Sequence, residues 1–190
     1  MPASREPTRA SSPGSFPRNG QSGRPSPPKG KRRQALRAAY RILFLNGPNL
    51  NVLGKREPDV YGKKTLDEIR HDVTEAARGE GASVSFFQSN HEGEIVTRLQ
   101  EARENADGLV LNLGGYTHSS VAIRDALVFA GLPAVEVHLS NLARRESFRR
   151  QSMIEDVVIG RIAGFGGFGY VLALRAILEH LRKEGGIDAS

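Results

Sequence analysis

Residues 41–49 read RILFLNGPN, an arginine and four apolar residues running into Asn46-Gly47-Pro48-Asn49. A short apolar run stopped by Gly-Pro reads as a buried strand entering a turn. Working outward, the pattern recurs with helical stretches in between. Thr65-x-x-Glu68 is a capping box, and Leu66, Ile69, Val73 and Ala76 stripe the helix it opens. A second strand is expected over 82–87, followed by a helix with Ile95, Leu99 and Ala102 on one face. GLVL at 108–111 is a third strand, with a helix near Val121–Ala130. Ala134–Val137 is a fourth, followed by a short polar helix around Arg144–Ile154. Val157–Ala163 is a fifth, and Val171, Leu174, Ile177, Leu178 and Leu181 stripe the closing helix. Alternation of this kind predicts an α/β fold: a doubly wound five-stranded parallel sheet with helices on both faces.

In such folds ligands sit outside the carboxyl ends of the strands. The predicted strands are followed by Asn46 to Asn49, by Gln88-Ser89-Asn90-His91-Glu92, by Asn112 with Tyr116 and His118 close behind, and by His138-Leu139-Ser140-Asn141. Gly164 follows the fifth. Four polar strand ends on one sheet edge point to a site for a small polar molecule. Within it, Glu136 and His138 are spaced i, i+2, so both side chains leave the same face of a strand. A carboxylate there fixes an imidazole and makes His138 a candidate acid or base. The glycine-flanked loop 53–62 carries Arg56 and Tyr61, and a guanidinium near a phenol favours the phenolate that a general base requires.

Other readings are disfavoured. Gly164-x-Gly166-x-x-Gly169 matches a dinucleotide fingerprint, but that motif needs a following strand with an acidic residue about 20 positions on, and here only the closing helix follows. Close strand–helix packing explains these glycines better. The histidines at 71, 91, 118, 138 and 180 have no ligand spacing, so no metal site is expected. There is no cysteine, which excludes disulfides, thiolate metal sites and cysteine nucleophiles.

The chain carries a formal charge of +6, a value that suggests a nucleic-acid partner until it is divided by position. Residues 1–40 hold nine basic residues and one acid, whereas the remaining 150 hold 18 basic and 20 acidic. Seven of the ten prolines precede residue 29. Segment 1–40 is therefore expected to be a disordered basic extension, with a short basic helix at its end, ahead of a catalytic domain at 41–184 and a tail at 185–190. A nucleic-acid tether, a membrane-surface anchor and a transit peptide are functional readings of that extension; a solvated leader is favoured. No secretory h-region or membrane-spanning run is apparent, so a cytoplasmic protein without a membrane or nucleic-acid partner is expected.

Several blocks together resemble the type II 3-dehydroquinate dehydratases, the flavodoxin-like dehydroquinases: LNGPNLNVLGKREPDVYG (45–62), QSNHEGEIV (88–96), NLGGYTHSSVAIRDAL (112–127), VEVHLSN (135–141), RESFRRQS (145–152) and GFGGFGY (164–170). The resemblance implies loss of water from 3-dehydroquinate by anti elimination through an enolate, giving 3-dehydroshikimate without metal or cofactor. It places the base on Tyr61, its supporting arginine on Arg56, enolate stabilisation through a held water on Asn49, the general acid on His138 and the acid's support on Glu136. Substrate contacts carry over to Asn112, His118, Leu139, Ser140 and Arg149, and to Asp125 from a neighbouring subunit of a homododecamer built as a tetramer of trimers. The chain departs from the family at Leu113, where a proline is usual, and at Ala143, where a histidine is frequent. The proline's loss is expected to loosen the turn at Asn112 while leaving every polar group in place. None of the lysines (29, 31, 55, 63, 64 and 183) follows a strand in the body, so a Schiff-base route is disfavoured.

Overall fold

The computed structural model describes residues 40–55 and 63–185. The expected extension, Arg56, Tyr61 and the last five residues lie outside the described residues. Five strands, β1 (Arg41–Asn46), β2 (Ser83–Gln88), β3 (Gly108–Asn112), β4 (Ala134–His138) and β5 (Gly160–Ala163), form one sheet in the order β2-β1-β3-β4-β5. All four pairings are parallel. The helices are α1 (Leu66–Glu80), α2 (Glu92–Asn105), α3 (Val121–Ala130) and α4 (Phe168–Glu184). No helix among the described residues is long and apolar enough to cross a membrane.

The two-residue period of the strands divides the core. Ile42, Phe44, Val110, Val135 and Val137 face one side and pack with Ile69 and Val73 of α1 and Leu174 and Ile177 of α4. Leu43, Leu45, Leu109 and Leu111 face the other and pack with Ile95 and Leu99 of α2 and Ile123 and Leu127 of α3. β1 and β3 thus need apolar residues at consecutive positions, which is why 42–45 and 109–111 read as unbroken runs, while β4 alternates Val135 and Val137 with Glu136 and His138. Helix starts follow local chemistry. Thr65 and Glu68 form the capping box at α1, each side chain bonding the other's backbone N–H, at 3.2 and 2.7 Å. Ser120 caps α3 by accepting from the Ile123 N–H.

Two expected elements differ. The segment 144–154 forms no α-helix; it carries two 3-10 turns, Leu142–Arg144 and Ser147–Arg149. It has no apolar stripe at helical spacing, and of its large apolar residues only Ile154 is buried. It follows the rim of the sheet in single turns instead, as one unsupported helical turn gains little. β5 begins at Gly160 rather than Val157, because its pairing partner on β4 starts at Val135. The residues before it turn and pack on the second core, with the Val157 N–H bonding the Ile154 carbonyl. Close packing accounts for the glycines of 164–169 only in part. A Cβ on Gly167 would lie 2.8 Å from Ile69, but one on Gly169 would make ordinary contact at 3.7 Å with Ile162 and Val137, and Gly164 and Gly166 are called for by their φ of +93° and +55° instead.

Candidate active site

Chain order reverses between β1 and β3: from β1 the chain passes to β2 on one side, and β3 lies on the other. A cleft of about 160 Å³ opens at the carboxyl ends of β1, β3 and β4 beside that point, the place where doubly wound sheets bind ligands. Of the residues singled out in the sequence, Asn49, Asn112, His118 and His138 line it. Leu139, Ser140 and Arg149, from the segment after β4, line it too. Glu136 lies directly behind His138. Asp125 does not line this cleft and is exposed on α3.

The pair on β4 is buried. Glu136 and His138 occupy the face of β4 opposite Val135 and Val137, and Glu136 is wholly inaccessible. The His138 Nε2–H donates to Glu136 Oε1 at 2.6 Å, and the Ser152 hydroxyl donates to Oε2 at 3.0 Å. Ser152 in turn accepts from the Ile154 N–H at 3.2 Å. A buried carboxylate needs such donors to offset lost hydration. With Nε2 committed to Glu136, no described residue bonds His138 Nδ1, which leaves that nitrogen for a ligand in the cleft.

His118 stands beside it, the two rings stacked with centroids 6.2 Å apart. Its Nδ1–H donates to the Gln151 carbonyl at 2.6 Å. Burial holds the His118 imidazole below its ordinary range and the charges of His138 and Arg149 add to this, against an upward pull from Gln151 and Glu136. The ring is therefore neutral near pH 7, presenting Nε2 as an acceptor. Arg149 lies over the Phe148 ring at 5.0 Å, and its Nε donates to Glu146 at 3.1 Å. A single carboxylate leaves this guanidinium with donors for an anionic ligand.

The β1 turn is built around Asn49, the one described non-glycine residue with positive φ, at 66°. Asparagine tolerates this conformation better than most residues. The Asn90 side chain holds it there, its Oδ1 accepting from the Asn49 N–H at 3.0 Å and from Gln88 Nε2 at 3.1 Å. The Asn112 turn is not loosened by Leu113. That residue has φ of −80°, close to what a proline ring would impose, and its side chain is fully buried. The turn is also pinned by Gly47 N–H to the Asn112 carbonyl at 2.8 Å and Tyr116 N–H to the Leu113 carbonyl at 3.1 Å.

Three participants escaped the sequence reading. Ser152 lay inside a quoted block, but nothing local marks it as the partner of Glu136. Arg145 lines the cleft and donates from Nη1 to Ser140 Oγ at 3.3 Å, yet it sits among four arginines of similar appearance. Tyr170 is buried at the start of α4 and bonds both Asn46 and Asn112. It extends an apolar stripe, so its hydroxyl is invisible to periodicity. Among the described residues no group of three or more His, Cys, Asp or Glu side chains is placed to hold a metal ion.

The sequence profile of the family described as "Dehydroquinase class II" matches residues 40–178. A 3-dehydroquinate dehydratase of Gloeothece citriformis is 53% identical over 144 residues, 76% of this chain and 95% of its own length. Another, of Geotalea daltonii, is 51% identical over 143 residues, 75% of this chain and 99% of its own. Among solved structures, the type II dehydroquinase of Butyrivibrio crossotus superposes with a TM-score of 0.72 at 43% identity, covering 74% of this chain and 98% of that one. With the profile spanning most of the chain and relatives matched nearly end to end, the chain belongs to the class II dehydroquinase family.

Proposed function

We propose that this protein is a 3-dehydroquinate dehydratase, a hydro-lyase (EC 4.2.1.10) of the shikimate route to chorismate and the aromatic amino acids. The observation that carries this reading is the buried His138–Glu136 pair opening on a cleft that also presents Asn112, His118 and Arg149. Elimination of water needs a base for the proton, an acid for the hydroxyl and support for the oxyanion between them. Tyr61 as phenolate, sustained by Arg56, takes the proton from the carbon beside the ketone, and the electrons move to the ketone oxygen as an enolate. Asn49 stabilises that oxygen through a held water. As the enolate collapses, the carbon–oxygen bond of the departing hydroxyl breaks, and His138 Nδ1 delivers the proton that lets it leave as water. Glu136 holds the ring by Nε2–H and lies against the positive charge the ring bears when both nitrogens are protonated. Arg149 receives the substrate carboxylate, and Asn112, His118, Leu139 and Ser140 its hydroxyl and carboxylate oxygens.

The catalytic domain is 41–184, and it works in the cytoplasm as a homododecamer of four trimers. What supports self-association is α3, whose Val121, Val128 and Phe129 are each more than half exposed. Asp125 lies on the same exposed stripe and reaches the cleft of a neighbouring copy. A direct assay with 3-dehydroquinate, following the conjugated enone product by ultraviolet absorbance, tests the reading. The chain turns over without added metal or nucleotide, and Tyr61→Phe and His138→Ala each lose about 10²- to 10⁴-fold in kcat. Full activity in Tyr61→Phe refutes the mechanism. Borohydride with substrate present leaves activity intact, since no imine forms.

A further inference from the structure

The period-two face that carries Ile42, Phe44 and Val110 towards α4 ends in two asparagines, Asn46 and Asn112, register partners across the β1–β3 boundary. Both are buried, and buried amides need partners. One phenol serves both. Tyr170 Oη donates to Asn46 Oδ1 at 2.7 Å and accepts from Asn112 Nδ2 at 2.8 Å. Asn46 Nδ2 continues to the Phe87 carbonyl at 3.3 Å, and Asn112 Oδ1 accepts from the Gly114 N–H at 3.3 Å.

These bonds run in one direction. The Phe87 carbonyl can only accept, so it sets the Asn46 amide with its nitrogen outward and its oxygen towards the phenol. That oxygen then takes the phenol's single proton, so Tyr170 can only accept from Asn112. Asn112 must therefore turn Nδ2 to the phenol, and the backbone N–H of Gly114 independently requires Oδ1 on the other side. Its second Nδ2–H bonds no described residue and is the valence left to a ligand, while the residue lines the cleft. Burial raises the phenol's pKa well above its usual value, so the proton that sets this polarity stays in place.

We infer that Tyr170 is a positioning residue: it fixes the amide orientation of Asn112 so that the cleft meets an N–H donor, selecting a substrate oxygen that accepts. This rests on the dehydratase reading, whose own test is turnover of 3-dehydroquinate by the unaltered chain. Tyr170→Phe removes one oxygen atom and one of the two contacts that fix the Asn112 amide, leaving the Gly114 N–H alone to hold its orientation. KM for 3-dehydroquinate rises about tenfold, the value of one misdirected hydrogen bond, with kcat within about twofold. In an Asn112→Ala background the same change leaves KM where Asn112→Ala alone puts it.

A purely structural phenol would lower Tm without this pattern. Unchanged KM in Tyr170→Phe overturns the inference, as does an equal KM rise with and without Asn112. If Tyr170→Phe does not fold, Asn46→Leu carries the test. It leaves the phenol no acceptor but Asn112 Oδ1, so the phenol competes with the Gly114 N–H for that oxygen, the amide orientation is no longer fixed and KM rises likewise; unchanged KM there also overturns the inference. An unaltered chain that fails to turn over 3-dehydroquinate refutes the dehydratase reading, and the inference falls with it.

Discussion

Gly47 stands where the β1 and β3 turns meet, and a single added methyl group tests whether that approach positions the site. A Cβ on Gly47 would lie 2.2 Å from the Leu113 carbonyl oxygen, 2.5 Å from its carbon and 3.0 Å from its Cα. Ordinary contact begins near 3.4 Å, so the turns must separate by about 1 Å. Neither side yields easily. Leu113 is wholly buried, and the Gly47 N–H bonds the Asn112 carbonyl at 2.8 Å. Overpacking against backbone together with a weakened buried hydrogen bond costs about 3 kcal/mol. For a domain of this size that lowers Tm by about 6–12 °C. Asn112 moves with the turn, and a misplacement of about 1 Å costs about 10²-fold in kcat/KM. Calorimetry and the enone assay on Gly47→Ala read both quantities, with Gly79→Ala as control because a Cβ there meets nothing within 4 Å. A Gly47→Ala enzyme with kcat/KM within about threefold of wild type and Tm within about 2 °C would refute the claim that this contact sets the site.

Ser152→Ala removes one of the two donors to Glu136 and leaves Ile154 N–H without its acceptor; kcat falls about tenfold while KM changes little, and steady-state kinetics showing the reverse split contradict the assigned role. His118 is held neutral by burial, so the unfolded chain binds its proton more tightly than the folded one, and stability declines as pH drops through the unfolded histidine value of about 6.5. Thermal melts from pH 7.5 to 5 should show a smaller decline in His118→Gln; an unchanged decline removes His118 as a contributor. Val128→Arg places a cation on the exposed α3 stripe, and sedimentation should find a smaller assembly with reduced activity. A mass equal to wild type would count against that face as the contact between copies.

Much of the fold was legible because its causes are local. The capping box at Thr65 and Glu68 starts α1 wherever that helix packs, and alternation along 41–46 assigns residues to two faces before any partner is known. The spacing of Glu136 and His138 likewise put them on one face, and they do share a hydrogen bond. The segment 144–154 misled because its polar character fits a surface helix as well as a rim of single turns. Only contact with the cleft and the second core distinguishes them.

Sequence by itself determined the alternating α/β pattern and which residues end the strands, since periodicity and capping act within a few residues. Tertiary structure alone decided the order β2-β1-β3-β4-β5 and therefore which strand ends share a cleft. It alone joined Tyr170 to Asn46 across 124 residues and to Asn112 across 58. Hydrogen bonds between distant segments depend on the packed sheet bringing them within 3 Å, and no local pattern carries that information.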